Sequence, residues 1–490
     1  MSSLEKYFKK FRKNIVGRDA RFYSPYGRQK LIYADWIASG RLYRPIEEKI
    51  MNDFGPFVAN THSEANETGT LMTQSYHYAQ EQIKRHVNAG PNDVIIHAGF
   101  GMTAAVNKLQ RILNLKGCGI LREIPCQKER DKPVVFLTHM EHHSNHTSWY
   151  ETNVDVVLLQ PDENLLVDPA ELKRQLERYS NRKYKFGSFT ACSNVTGIAT
   201  PYHQLAKIMH EYGGICFVDF AASAPYQEIN MHPEDPMEKL DAVFFSPHKF
   251  LGGPGSSGVM IFDRKLYHCK APDNPGGGTV DWTNPWGDYK YVNDIEVRED
   301  GGTPGFLQAI RIALVFELKN EMGVDKINLR EKELLQLAFS ELDRLPRVRI
   351  LADNVRERLG IISFYVEGMH YNLIVKLLSD RFGIQVRGGC ACAGTYGHFL
   401  LEVSYEESQR ITEKISAGDL SEKPGWVRWS LHPTTTNAEV HLFGKALGQI
   451  IANYEVWKQD YTYNKRKNEF VYSGPRLKKK EIWVEELFHL

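Results

Sequence analysis

The chain has 490 residues, 42% hydrophobic and 25% charged, with a formal net charge of +1. That length allows about two to four domains with a core that needs no disulfide staples, and the balanced charge points to neither nucleic acid nor a membrane surface. No apolar run approaches the ~18 residues of a membrane span, and no apolar leader follows Met1, so the seven cysteines read as reduced thiols of a cytoplasmic protein.

Residues 1–30 open as a charged helix and continue as a loop. Strands are predicted at 31–34, 93–97, 134–138, 154–159, 185–191, 215–218, 242–245 and 258–262. Helices are predicted between them at 73–88, 102–114, 168–179 and 201–212, with Pro201 in a first turn and Gly213-Gly214 at an end. This alternation predicts an α/β fold with a mostly parallel sheet covered on both faces. Ligands of such sheets bind beyond the carboxyl ends of the strands. From about residue 304 the pattern changes to helices at 305–321, 326–342 and 370–382 and strands at 361–366, 384–387 and 426–431, which reads as a smaller α+β domain. Residues 403–424 read as a polar inserted loop. The tail carries Lys465, Arg466, Lys467, Arg476, Lys478, Lys479 and Lys480. It is either a solvated extension or a surface for RNA or an acidic partner. The resulting division is an N-terminal segment 1–30 packing on the small domain, a large domain 31–303, a small domain 304–456 and a basic extension 457–490.

The residues that could carry chemistry lie where strands end. Lys249 follows the apolar run 242–245 in a basic, glycine-rich turn with Ser246 and His248. That setting suits a Schiff-base lysine beside a bound phosphate, or a solvated loop lysine. Asp219 ends another apolar run, where a buried acid needs a cationic partner unless it merely caps a helix. Gly99-Phe100-Gly101-Met102-Thr103 opens a helix and offers an anion site or a plain turn. No Gly-Lys-Ser/Thr ending supports a nucleotide P-loop. In Glu141-His142-His143-Ser144-Asn145-His146, a histidine could lie flat on an aromatic cofactor. His139, His142, His143 and His146 also invite zinc, but no carboxylate or cysteine completes a standard site. Asn194, past the strand at 185–191, is a donor for a phenolate oxygen or a turn residue. Arg387 precedes Cys390-Ala391-Cys392 on a glycine-rich segment, which suits a carboxylate clamp beside a nucleophile, a structural disulfide (disfavoured in a reducing cytosol), half a metal site, or small buried residues.

Taken in order, Glu-His-His-Ser-Asn, Ser-Asn-Val-Thr-Gly, Val-Asp-x-Ala, Ser-x-His-Lys and Arg-x-Gly-Cys-x-Cys resemble the class V aminotransferase superfamily. Within it they are most similar to the cysteine desulfurase and selenocysteine lyase group. The resemblance spans roughly residues 30–455. It implies a fold type I enzyme with a seven-stranded, mostly parallel sheet, pyridoxal 5'-phosphate as cofactor, and a homodimer with shared active sites. It implies that Lys249 carries the cofactor and shuttles the α-proton, that Asp219 pairs with the ring nitrogen, and that His142 stacks on the ring. Asn194 would lie near the ring hydroxyl or the substrate carboxylate. Gly101, Met102, Thr103, Ser246 and His248 would hold the phosphate, and Thr279 and Thr303 would reach the phosphate of the neighbouring subunit. Arg387, with Ala38 and Ser39, would bind the amino-acid substrate. Two departures stand out. Ala222 replaces a usual glutamine that bonds the ring oxygen, and Met102 replaces a common threonine, leaving the grip there to backbone N–H and Thr103.

The reaction so implied is sulfur transfer from cysteine, giving alanine and an enzyme persulfide that is passed to an acceptor protein. Cys392 falls on the nucleophile's position and Cys390 on one that is often histidine. Transamination, racemisation or β-elimination on the same scaffold would need Lys249, Asp219 and Arg387 but no thiol. A non-catalytic binding protein is the remaining alternative.

Overall fold

The computed structural model describes residues 2–61, 63–116, 131–474 and 484–489. They form two compact units, Ile37–Asn328 and Met1–Trp36 with Leu329–Leu490.

The larger unit is built on seven strands in the spatial order Asp93–Ala98, Gly258–Asp263, Ala242–Phe245, Ile215–Asp219, Lys185–Thr190, Val134–Leu137, Asp155–Leu158. Only Gly258–Asp263 runs against its neighbours; the other pairings are parallel. The strands Val134–Leu137 and Ala242–Phe245 are buried from end to end, and Ile215–Asp219 is buried beyond its first residue. That is why they read as unbroken apolar runs rather than as alternation. Helix Met102–Ile112 turns Met102, Ala105, Val106, Leu109 and Ile112, spaced at the helical period, onto Val94, Ile96, Phe217, Phe244 and Met260. Helices Glu67–His86 and Phe306–Met322 pack through Tyr76, Ala79, Ala309 and Ile310. Helix Phe306–Met322 therefore stays with the larger unit, although the sequence division ended that domain at 303. It is anchored by the Lys319 ammonium, which donates to the carbonyls of Ala224 (2.9 Å) and Gln227 (2.5 Å).

The smaller unit carries a four-stranded antiparallel sheet in the order Val348–Ile350, Ile361–Val366, Trp426–Ser430, Arg387–Gly389. Its core joins Leu373, Ile374, Leu377 and Leu378 of helix Tyr371–Phe382 to Val440, Phe443, Leu447 and Ile450 of helix Asn437–Trp457. The N-terminal helix Ser3–Lys13 buries Phe8 and Phe11, and Arg12 bonds the Thr434 carbonyl and Glu439.

Three expectations are corrected here. The strand expected at 31–34 shrinks to Ile32–Tyr33 and pairs in parallel with Ile384–Gln385 of this unit, not with the large sheet. The strand expected at 384–387 breaks accordingly into Ile384–Gln385 and Arg387–Gly389. Residues 403–424 are not a loop: Tyr405–Ser416 is a helix capped by Ser404, whose hydroxyl accepts from the Glu407 amide. Only Ile411 of that helix is buried, so its apolar stripe is too thin to read, while the Ser-x-x-Glu cap was there to be seen. The tail is folded over its first part. Tyr461–Asn464 and Glu469–Tyr472 form a hairpin, and the buried Tyr461 donates its hydroxyl to Asp380 at 3.0 Å. Arg476, Lys478, Lys479 and Lys480 lie outside the described residues.

Candidate active site

In the larger unit the parallel strands and Asp93–Ala98 end at one edge of the sheet, and this edge collects the expected residues. Asp219 is the last residue of its strand and is buried, with one carboxylate oxygen accepting the Ala221 amide at 2.8 Å. Burial pushes its carboxyl up to about 6, and the Ala221 bond and the charge of Lys249 only partly offset this. Lys249 closes the short turn Pro247–Lys249 beyond the adjacent strand. An acid at a strand end and a lysine beyond the next strand are thus coupled electrostatically at the one edge.

The opening of helix Met102–Ile112 meets the same turn. The Met102 side chain is in the core, while its amide donates to the Ser246 hydroxyl at 2.9 Å. This amide is therefore engaged by Ser246, not left open as the sequence suggested. A Cβ on Gly101 would lie 3.2 Å from the Ser246 hydroxyl and 3.6 Å from His248 Nε2. Only a residue without a side chain keeps this cradle clear. Burial, and then the neighbouring Lys249 charge, lower His248 to about 4, so its ring is neutral near pH 7. The exposed Thr103 shares a 2.6 Å hydrogen bond with Ser144. The Ser144 amide in turn donates to His142 Nδ1 at 3.1 Å, so a neutral His142 carries its proton on Nε2.

The structure adds residues whose role the sequence did not disclose. The buried Glu141 accepts from the Thr138 hydroxyl (2.7 Å), the Thr190 amide (2.9 Å) and Asn145 Nδ2 (2.8 Å). Asn145 also binds Ser188, through its Nδ2 to the carbonyl and its Oδ1 to the hydroxyl. This network ties the His142 turn to the strand that leads to Asn194. Burial raises the Glu141 carboxyl to about 8 against those hydrogen bonds, and Asp219 adds to the rise. Asn194 is buried on the following turn, where the Ser193 hydroxyl accepts from the amides of Val195 and Thr196. Ala222, in place of the usual glutamine, is buried.

Ala38 and Ser39 are stapled to the lysine turn. The Gly40 amide donates to the His248 carbonyl at 2.9 Å, and the Ser39 hydroxyl donates to the same oxygen at 3.4 Å. A Cβ at Gly40 would sit 1.8 Å from the Phe250 carbonyl oxygen. Thr279 is fully buried and spends its hydroxyl on the Gly276 carbonyl at 2.6 Å. Its segment meets that of Thr303 through the Gly302 amide and the Gly277 carbonyl. Thr303 itself is exposed and lines, with Gly99 and Asn107, an open cavity of about 390 Å³.

In the smaller unit, Arg387 lies opposite Arg428 in the strand register. Like charges so placed repel, and Asp35 resolves the conflict. Its carboxylate accepts Arg387 Nε at 3.1 Å and an Arg428 terminal nitrogen at 3.0 Å. Arg428 is buried and Arg387 exposed. Burial lowers Arg428, Asp35 opposes the shift, and Cys392 lies within electrostatic reach of it. Past Arg387 the chain turns sharply. The Ala393 amide donates to the Cys390 carbonyl at 3.0 Å, and Ala391 and Cys392 have φ of 52° and 57°. Cys392 is exposed and Cys390 half-buried, and none of the described cysteines forms a disulfide. Neither Asp35 nor Arg428 was singled out by sequence, since nothing marks a strand arginine as the partner of an acid 393 residues away. Among the described residues, no group of His, Cys, Asp and Glu side chains is placed to hold a metal ion.

This sheet, with a lysine and a buried acid at its edge, defines a fold of the pyridoxal-phosphate enzyme class. The chain belongs to the aminotransferase class-V family, whose pattern matches residues 32–443, and members of that family are pyridoxal-phosphate enzymes. It is 28% identical over 369 residues to a probable cysteine desulfurase of Halalkalibacterium halodurans, covering 74% of this chain and 84% of the relative. It is 26% identical over 373 residues to a probable cysteine desulfurase of Staphylococcus aureus, with the same coverage. The fold is shared with a cysteine desulfurase from Thermococcus onnurineus NA1 (TM-score 0.71, 21% identity, 91% of this chain and 98% of that one). It is also shared with one from Escherichia coli (TM-score 0.68, 20% identity, 90% and 98%).

Proposed function

We propose that the protein is a pyridoxal-phosphate-dependent cysteine desulfurase that converts cysteine to alanine and takes the sulfur onto Cys392. The observation that carries this reading is the exposed Cys392 thiol on a left-handed turn beside the Asp35-bridged arginine pair. A transaminase, racemase or lyase has no use for it.

The cofactor fits the residues present. Asp219 is a buried acid lacking, among the described residues, a cationic partner in hydrogen-bonding contact, and Gly101 leaves a cradle open beside Ser246 and His248. Bound pyridoxal phosphate supplies the electron sink for charge that develops at the substrate α-carbon. Ser246, His248, Gly101 and Thr103 hold its phosphate. Asp219 would hold the proton at the ring nitrogen, His142, oriented by Ser144, would support the ring, and Asn194 would bond its oxygen. The Lys249 amine would carry the cofactor and move the substrate's α-proton. Arg387 binds the substrate carboxylate; its Nε is held by Asp35, which leaves the two terminal nitrogens for a bidentate contact. The Cys392 thiolate attacks the substrate sulfur.

Two copies share their sites through the segments of Thr279 and Thr303. The persulfide is passed to an acceptor protein in the cytoplasm. The test is incubation of the reconstituted protein with cysteine, scoring alanine and the mass of the Cys392 peptide. Alanine from the wild type, with neither alanine nor any change in the mass of that peptide from Cys392→Ala, is the expected result. Pyruvate or a keto acid in place of alanine moves the assignment to a lyase or transaminase.

A further inference from the structure

Cys390 has no part in the chemistry so far, yet it shares a turn with the nucleophile. Resting on the desulfurase reading, we propose that Cys390 is a resolving thiol. When no acceptor protein has taken the sulfur, it attacks the inner sulfur of the Cys392 persulfide, expels sulfide and leaves a Cys390–Cys392 disulfide.

The backbone makes the step geometrically feasible. Two residues apart in an extended strand, the Cα atoms would be roughly 7 Å apart, at the limit of what a disulfide spans. Here residues 390–393 are folded back by the Ala393 amide to Cys390 carbonyl bond. Both central residues take positive φ, as in the mirror-image turns of tight hairpins. Such a turn holds residues 390 and 392 closer together than an extended strand would. Neither central residue is glycine, and left-handed backbone is strained for a residue with a side chain. The chain accepts that strain at Ala391 and Cys392, the spacer and the nucleophile. The two thiols also differ in setting. Cys392 is exposed and within electrostatic reach of Arg428, while Cys390 is half-buried and within reach of the Tyr371 phenol. An exposed thiol accepts sulfur and a sheltered neighbour resolves it.

The step balances. The Cys390 thiolate forms a bond to the Cys392 sulfur, the bond between that sulfur and the outer one breaks, and the outer sulfur leaves as hydrosulfide. Two cysteine thiols are oxidised and one sulfane sulfur is reduced to sulfide. Summed with the first half-reaction, cysteine and an enzyme dithiol give alanine, sulfide and an enzyme disulfide. A second turnover needs a dithiol reductant.

The experiment uses the full-length, cofactor-loaded protein, reduced and then freed of reductant, with excess cystine-free cysteine for a single short interval before acid quench. Alanine, sulfide and the masses of the peptide spanning Cys390 and Cys392 are measured. Wild type should release about one equivalent of sulfide per site, end with that peptide two hydrogens lighter, and resume on addition of a dithiol. Cys390→Ser should form alanine once, keep the extra sulfur on Cys392 and release at least tenfold less sulfide in the burst. Wild type that holds the extra sulfur on Cys392 like the variant, or carries it on Cys390, overturns the proposal while leaving the desulfurase reading intact. Absence of alanine in both proteins overturns the desulfurase reading and this one with it.

Discussion

Replacing Asp219 by asparagine should stabilise the apoprotein while weakening the holoenzyme. The carboxyl is 3% exposed and lies at about 6 in the folded chain against an ordinary 3.8. A raised carboxyl binds its proton more tightly when folded, so its ionisation opposes folding. Below about pH 4 both states are protonated and nothing is lost. Between 4 and 6 the penalty grows, and above 6 it is complete at about 3 kcal/mol. The asparagine side chain would keep an oxygen to accept the Ala221 amide and carry no charge. The assay is urea unfolding of both apoproteins by tryptophan fluorescence at a series of pH values from 4 to 8. The variant should gain about 3 kcal/mol relative to wild type across that range, all of it between pH 4 and about 6.5. An offset from an unsatisfied amide would be constant with pH and leave this slope untouched. With cofactor the variant's advantage shrinks. Losing a charge-assisted hydrogen bond of about 1.5–3 kcal/mol weakens binding roughly 10- to 150-fold. A stability difference independent of pH would refute the claim that this buried acid is held against its own solvation.

Asp35→Asn should cost about 3–5 kcal/mol, because it removes the carboxylate that the buried Arg428 shares with Arg387 across the strand pair. Urea unfolding followed by the fluorescence of Trp426 and Trp429, with the other tryptophans replaced, reads it. Gly101→Ala should leave the fold's unfolding midpoint within about 1 kcal/mol and lower cofactor affinity by an order of magnitude, as the new methyl intrudes on Ser246 and His248. Fluorescence titration with pyridoxal phosphate checks it. Tyr461→Phe should destabilise the smaller unit by about 1 kcal/mol, one hydrogen bond to Asp380, and speed amide exchange across the 461–472 hairpin.

The larger unit was legible because a parallel sheet covered on both faces writes itself as apolar runs ending in polar turns. Asp219, Lys249, His142 and Gly101 all sit at such ends. Residues close in sequence were found together; partners distant in sequence were not. Glu141 stood in a quoted motif, but its hold on Thr190 depends on strand order, which one chain's periodicity does not reveal. Arg428 reads as one more residue of the strand Trp426–Ser430, and only the register against Arg387 and the return of Asp35 give it meaning. The helix Tyr405–Ser416 was missed because a single buried side chain leaves no stripe. The hairpin past residue 460 was missed because basic residues at its tip dominated the composition there.

Borohydride reduction of the protein loaded with pyridoxal phosphate, followed by peptide mass mapping, tests the central pairing most directly. A visible absorbance band that bleaches on reduction, with the phosphopyridoxyl group on Lys249, is the predicted result. A colourless protein, or the label on another buried lysine such as Lys319, would contradict the account.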